Sequence, residues 1–186
     1  MRTLTDQLAQ YAAYHRDRRN IATHFVGIPM IVLALAVLLS RPALTFAALP
    51  FPVSPALVLV VLSVAYYLAL DVPLGLMMTV LYALCIACGT WLAAQPTLSW
   101  LASGAGLFVV GWIIQFVGHA AYEHRKPAFV DDLIGLVIGP LFVLVEALFA
   151  FGWRPALRDA IEAKASPARI DGARIDGARA ATHEGR

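Results

Sequence analysis

Apolar residues fall into five long blocks along this chain, each ended by a proline, a charge or a histidine. The blocks are 21–39, 56–70, 74–94, 98–118 and 133–151. A helix needs about 20 mostly apolar residues to cross a bilayer, which the first, third and fourth blocks supply. The second is short, so its boundary is expected to reach into the preceding segment, 42–55. That segment is apolar but carries Pro50, Pro52 and Pro55, which rule out a continuous helix and predict a loop or interfacial stretch. Only Asp71-Val72-Pro73 separates the second and third blocks, the mark of a tight antiparallel hairpin. The last block has Gly139-Pro140 at its middle and Glu146 beyond, a pattern that predicts a broken or re-entrant hairpin. Ahead of them all, Leu4, Leu8, Tyr11 and Tyr14 recur at helical spacing among arginines, predicting an amphipathic helix at the interface over 1–20. The predicted fold is an all-α, polytopic membrane helical bundle of about four spanning helices plus the C-terminal hairpin. Its parts are the interfacial helix 1–20, a membrane catalytic domain 21–158, and a basic tail 159–186. The tail repeats Ala-Arg-Ile-Asp-Gly twice and is expected to be largely disordered.

Composition supports the membrane reading. Of the 186 residues 60% are hydrophobic and the mean hydropathy is +0.74, far outside the range of soluble domains. The net charge is only +2 with basic residues gathered at the two ends, which argues against a nucleic-acid partner. Early arginines without a short apolar core and small-residue cleavage site argue against a cleaved signal peptide. If four helices cross and the fifth block returns, Arg16, Arg18, Arg19, Arg125, Lys126, Arg154, Arg158 and Lys164 all lie on the cytoplasmic side. The Ala- and Arg-rich composition points to a bacterial inner membrane; a eukaryotic source would place the chain in the endoplasmic reticulum. Cys85 and Cys88 have no second pair to complete a metal site and read as small packing residues.

The chemistry sits at the ends of the blocks. His15 and His24 lead into the first block, and His119 and His124 follow the fourth, so an even number of crossings puts both pairs on one face. Gln115, His119 and Glu123 are four apart and form one polar stripe on a helix. A histidine and a carboxylate at that spacing can reach one metal ion, with Gln115 one turn deeper to orient a ligand. His15 and His24 are harder to join, because nine residues of ideal helix rotate about 900° and leave them on opposite sides. They converge only if the chain bends, and Asp17-Arg18-Arg19-Asn20 is the expected bend with Asn20 as a helix cap. His124 is about 140° from His119 on the same helix and is the weaker ligand candidate. The metal-ligand candidates are therefore His15, His24, His119 and Glu123, and the catalytic candidates are Glu123, Gln115, Asn20 and Glu146. Glu146 is expensive within an apolar block, so it either participates or stabilises the hairpin as a neutral or paired carboxyl. Asp131 and Asp132 read as helix N-terminal charges or as partners of a histidine. Three imidazoles, a carboxylate and open positions resemble non-haem iron sites, and zinc takes the same ligands. The two-iron membrane hydroxylases need dense H-x-x-H-H clusters that this chain lacks.

Tyr14-His15, Asn20, His24 and Pro29, then Gln115-Phe116-Val117-Gly118-His119, Glu123, Pro127-Ala128 and Asp131, together resemble the signature of the membrane 2-hydroxy fatty acid dioxygenases of yeast phytosphingosine breakdown. The similarity extends through Gly139-Pro140 and Glu146 and covers the chain up to the tail. The resemblance implies an Fe(II)-dependent enzyme of fatty acid α-oxidation that uses O₂ to shorten a 2-hydroxy fatty acid by one carbon. It further implies that His15, His24 and His119 are associated with iron, with Glu123 as a ligand or a supporting group. The sequence departs from the family at Arg16, where relatives can carry another histidine, and at His124, which lies outside the pattern. The residues fit that chemistry. A 2-hydroxy carboxylate can chelate iron through its hydroxyl and one carboxylate oxygen, leaving a position for O₂. Its acyl chain would lie among the spans, each buried CH₂ contributing about 0.8 kcal/mol. Arg125, Lys126 or Arg19 can attract the carboxylate, or serve only as topology anchors. Two other classes remain open: a zinc-dependent membrane hydrolase, and a non-enzymatic transport or structural protein, against which the near absence of charges in the spans counts.

Overall fold

The computed structural model describes residues 2–123 and 133–166. Among the described residues seven α-helices run in order: α1 Leu4–Tyr14, α2 Arg18–Leu38, α3 Pro55–Leu70, α4 Val72–Ala93, α5 Thr97–Gly118, α6 Ile134–Ala150 and α7 Pro155–Ala165. A single π-helical turn, His119–Glu123, prolongs α5. Among the described residues the fold is all-helical, with one isolated bridge, Leu44 to Val53, closing the proline-rich loop.

By length and composition α2, α4 and α5 with its π-turn are able to cross a membrane. The chain is accordingly a membrane-associated helical bundle, with α3 and α6 as shorter apolar helices. α3 reaches only one residue into the proline segment: Ser54 caps it through a bond from Leu57 N, and Pro55 occupies the first helical position, where its missing N–H costs nothing. Asp71 ends α3 and caps α4 through Leu74 N, which makes the predicted hairpin.

Close packing of α2 against α5 organises the bundle. Gly104, Gly111 and Gly118 recur every seven residues on the buried side of α5, and Gly27 faces them from α2. A Cβ on Gly111 would meet Ile31, and one on Gly27 would meet the Gln115 amide and the Gly111 carbonyl. Small residues let the backbones approach, since in lipid helix association relies on van der Waals contact rather than on the hydrophobic effect.

Residues 134–150 form one continuous helix with Pro140 inside, not a hairpin broken at Gly139-Pro140. Pro140 lacks only the one N–H that would bond back to residue 136, and the helix is held by packing on both sides of that gap. Ile138, Leu141, Phe142 and Val145 are all buried, and Gly139 lets α6 press against Tyr11 and Ile28.

The helix within 1–20 ends earlier than expected, at Tyr14, and docks on α6 and α7 with Leu8, Ala9 and Tyr11 buried. The predicted tail likewise starts later. Residues 155–165 are α7, with Ile161 buried and Lys164 bonded to Asp6 of α1 at 2.6 Å. The repeat segment lies outside the described residues.

The Asp6–Lys164 pair carries a pH prediction. The Lys164 hydrogen bond, and then those from Thr3, hold the Asp6 carboxyl well below the usual carboxylate range. A depressed folded pKa means the contribution is complete above the ordinary Asp value of about 4 and fades as pH falls toward the lower folded value. Hydrogen exchange of α7 amides is expected to accelerate below about pH 4 in the native protein. In Lys164→Gln the acceleration should be largely gone, because the shift is then set by Thr3 alone.

Candidate metal centre

α1 stops because His15 leaves the helix, and Asp17 then starts α2 by accepting from Arg19 N at 2.8 Å. The bend expected from the rotation argument is therefore at 15–17, and its cap is Asp17. Asn20 is not a cap. It sits inside α2, fully buried, with its amide donating to Glu123 at 3.2 Å.

This corner brings His15 beside His24, and α5 delivers His119 to the same place. Ring centroids are 4.4 Å apart for His15–His24, 4.9 Å for His15–His119 and 5.1 Å for His24–His119. All three side chains are buried, and one nitrogen from each lies within 4.8 Å of the others.

Backbone carbonyls fix two of the rings. His15 Nδ1 donates to the Tyr11 carbonyl at 2.7 Å and His24 Nδ1 donates to the Asn20 carbonyl at 2.8 Å. Each bond leaves the Nε2 of its ring as the unprotonated nitrogen, the usual way a protein orients an imidazole for a metal. His15 also stacks on Tyr11, with centroids 4.1 Å apart and planes 8° from parallel. Burial, reinforced by the neighbouring His24, pushes the His15 pKa down to about 3, so its imidazole is neutral at physiological pH. Among the described residues His15 Nε2, His119 Nδ1 and Gln115 Nε2 are buried without a hydrogen-bond partner. Three converging imidazoles, two of them with an orphaned nitrogen, fit a divalent transition ion, which would supply the partner that these buried atoms otherwise lack.

Glu123 is not part of the histidine group. Its Oε1 accepts from Arg16 N at 2.7 Å, Asp17 N at 2.9 Å and the Asn20 amide. The π-turn explains the departure from the expected stripe: it holds more residues per turn, so residue 123 falls short of the angle an α-helix gives it. The carboxylate thereby clasps the corner that presents His15.

Gln115 lies where the stripe put it, buried beside the histidines. Glu146 lies elsewhere, in a separate cleft of about 740 Å³ with Arg16, Arg18 and Arg158, which reaches His15 from the α7 side. Arg19 is engaged, paired with Asp17 at 2.8 Å and stacked over Tyr122. His124, Arg125, Lys126, Pro127, Ala128, Asp131 and Asp132 lie outside the described residues.

On the opposite side the histidines form one end of an apolar chamber of about 290 Å³, walled by Ile28, Ile31, Phe108 and Trp112 with Gln115 among them. Sequence reasoning missed Tyr11, which both stacks on and accepts from His15, and missed the glycine face of α5. The seven-residue glycine spacing is the signal that would have found the latter.

The model of the family described as 2-hydroxy-palmitic acid dioxygenase Mpo1-like matches residues 1–151. The chain belongs to the Mpo1-like family. A curated relative, the 2-hydroxy-palmitic acid dioxygenase MPO1 of Saccharomyces cerevisiae, is 34% identical over 160 residues, covering 86% of this chain and 87% of the relative. No solved structure matches the chain significantly. The three histidines and Glu123 all fall within the Mpo1-like match.

Gly118, also within the Mpo1-like region, gives a direct test of the corner. A Cβ there would run into the Thr23 hydroxyl and the Asn20 amide oxygen. Gly118→Ala is expected to cost about 1–3 kcal/mol through overpacking. Displacing Asn20 also disturbs the carbonyl that orients His24, so metal affinity should fall roughly tenfold. Thermal unfolding and metal titration of the purified variant check the two effects.

Proposed function

We propose that this protein is an Fe(II)-dependent dioxygenase that shortens 2-hydroxy fatty acids by one carbon with O₂, the α-oxidation of fatty acids. The observation that carries this reading is the buried group of three imidazoles opening into an apolar chamber, in a chain of the Mpo1-like family. His15, His24 and His119 would hold the metal. Three protein ligands would leave coordination positions open. Iron(II) held there would supply the electrons for activating O₂.

The chain's own residues do the rest. Tyr11 and Asn20 carbonyls keep Nε2 of His15 and His24 free of protons. Glu123 positions His15 by holding the 15–17 corner. The Gln115 amide, orphaned and facing the chamber, is placed to donate to the substrate's oxygen atoms as they approach the histidines. Phe108 and Trp112 exclude water from the acyl side. Arg16 and Arg18 at the mouth of the larger cleft can attract the carboxylate. The clustering of basic residues at the histidine end is consistent with a cytoplasmic face for the site.

Purified protein loaded with iron(II) and given O₂ and 2-hydroxypalmitic acid is expected to form the acid one carbon shorter, detected by mass spectrometry. Anaerobic incubation should give none. Turnover that needs zinc and persists without O₂ would replace this reading with the hydrolase.

A further inference from the structure

The apolar chamber beside the histidines has a second apolar cavity next to it. Val32 and Leu35 of α2 and Leu136 and Pro140 of α6 line it, and the same four residues line a second cavity of about 280 Å³. This second cavity lies between α2, α3, α4 and α6, and its far wall is made by Ala56, Val60 and Ser63 of α3 with Tyr82 and Cys85 of α4.

We propose that the two cavities are the lobes of one acyl channel, the first holding the carbons next to the histidines and the second the distal chain, so that Val60 and Ser63 set the chain length accepted. This rests on the substrate being a 2-hydroxy fatty acid.

Dimensions agree with that occupant. From His24, in the histidine group, to Ala36, on the wall of the second lobe, α2 rises about 18 Å. An extended acyl chain advances a little less than one C–C bond of about 1.5 Å per carbon, so the chain of a palmitic-length acid beyond its hydroxyl-bearing carbon needs a similar length. Taken together the lobes, about 290 and 280 Å³, fall within the usual 300–1,000 Å³ of a small-molecule site.

The wall chemistry also selects a hydrocarbon. The Ser63 hydroxyl is spent on the Leu59 carbonyl at 2.9 Å, and the Tyr82 hydroxyl is shared with Tyr67 at 3.0 Å. A lobe whose hydroxyls are already bonded gives water too few partners to be held well. Its rim includes Leu59, Leu133 and Leu136, all exposed, so a chain dissolved in the bilayer has an apolar path into it.

The test is chain-length dependence of binding, read apart from turnover. The full chain in lipid nanodiscs is loaded with a fluorescent fatty acid and titrated with 2-hydroxy acids from octanoic to stearic. The native protein is expected to bind more tightly with each added carbon until both lobes are filled. Ser63→Phe should weaken 2-hydroxypalmitic acid about tenfold more than it weakens 2-hydroxyoctanoic acid. Val60→Ala, which enlarges the lobe and does not depend on accommodating bulk, should move the tightest binder to a longer acid. Equal affinity for short and long acids in the native protein overturns the channel, and so do folded variants with the native length profile. The graded profile without any iron-dependent turnover supports the channel and overturns the dioxygenase reading alone.

Discussion

Protein carrying His24→Gln is expected to keep its fold and lose its metal. Glutamine nearly fills the volume of the imidazole, which matters at a site where His24 is 1% exposed and truncation to alanine would leave a cavity. It brings no imidazole nitrogen to the group. The two remaining histidines then hold the ion too weakly to retain it through purification. Loss of a group that merely supports a ligand costs about 10–100-fold in metal affinity, so removal of a ligand should exceed about 100-fold, with turnover falling in parallel. Metal content by elemental analysis, set beside circular dichroism and thermal unfolding, separates this from misfolding. His15→Gln and His119→Gln should behave alike, since the three rings stand within about the same distance of each other. A variant that keeps full iron occupancy would remove its histidine from the proposed ligand set.

The second large effect is predicted at Glu123. Glu123→Ala leaves the Arg16 and Asp17 amides and the Asn20 side chain without their shared acceptor. Each orphaned donor costs about 1–3 kcal/mol where it is shielded from water, and the Arg16 bond is exposed, so about 2–6 kcal/mol in total is expected from the other two. The corner at 15–17 then loosens and His15 no longer holds its place. Metal affinity should fall about 10–100-fold, less than for loss of a histidine. Glu123→Gln keeps one acceptor oxygen and should recover much of both losses. Hydrogen exchange is the decisive readout: amides 16–20 should speed up in Glu123→Ala while those in the middle of α5 do not. Were Glu123 itself the fourth ligand, Glu123→Gln would lose metal nearly as fully as a histidine variant, with slow exchange retained at the corner.

The contrast between His119 and Glu123 shows where a sequence stops being informative. Both lie on the stripe that starts at Gln115, and ideal helical geometry sends them to one point. For Gln115 and His119 that geometry holds, because both precede the π-turn or stand at its first residue. For Glu123 it fails, since the added residue in that turn depends on what α5 meets at the start of α2. Asn20 is a similar case. An Asn after a charged run is a good cap by local chemistry, yet Asp17 caps α2 and Asn20 is drawn inward to Glu123, more than a hundred residues away. Pro140 misled for the same reason: as a local signal it breaks a helix, and the packing of Phe142 and Val145 overrides it.

The sequence alone determined that the chain is a bundle of apolar helices, where the hairpin at Asp71 turns, that His15, His24 and His119 gather at one end, and that His15 and His24 need a bend between them. These follow from hydrophobic period and from turn chemistry, which are properties of adjacent residues. The tertiary structure decided the position of the bend, the neutral tautomers set by the Tyr11 and Asn20 carbonyls, the role of Glu123 as the clasp of that bend, and the apolar chamber behind the rings. Each of these depends on the glycine-mediated approach of α2 to α5 or on the docking of α1 and α6, contacts between segments whose distance in the chain leaves no local trace in either one.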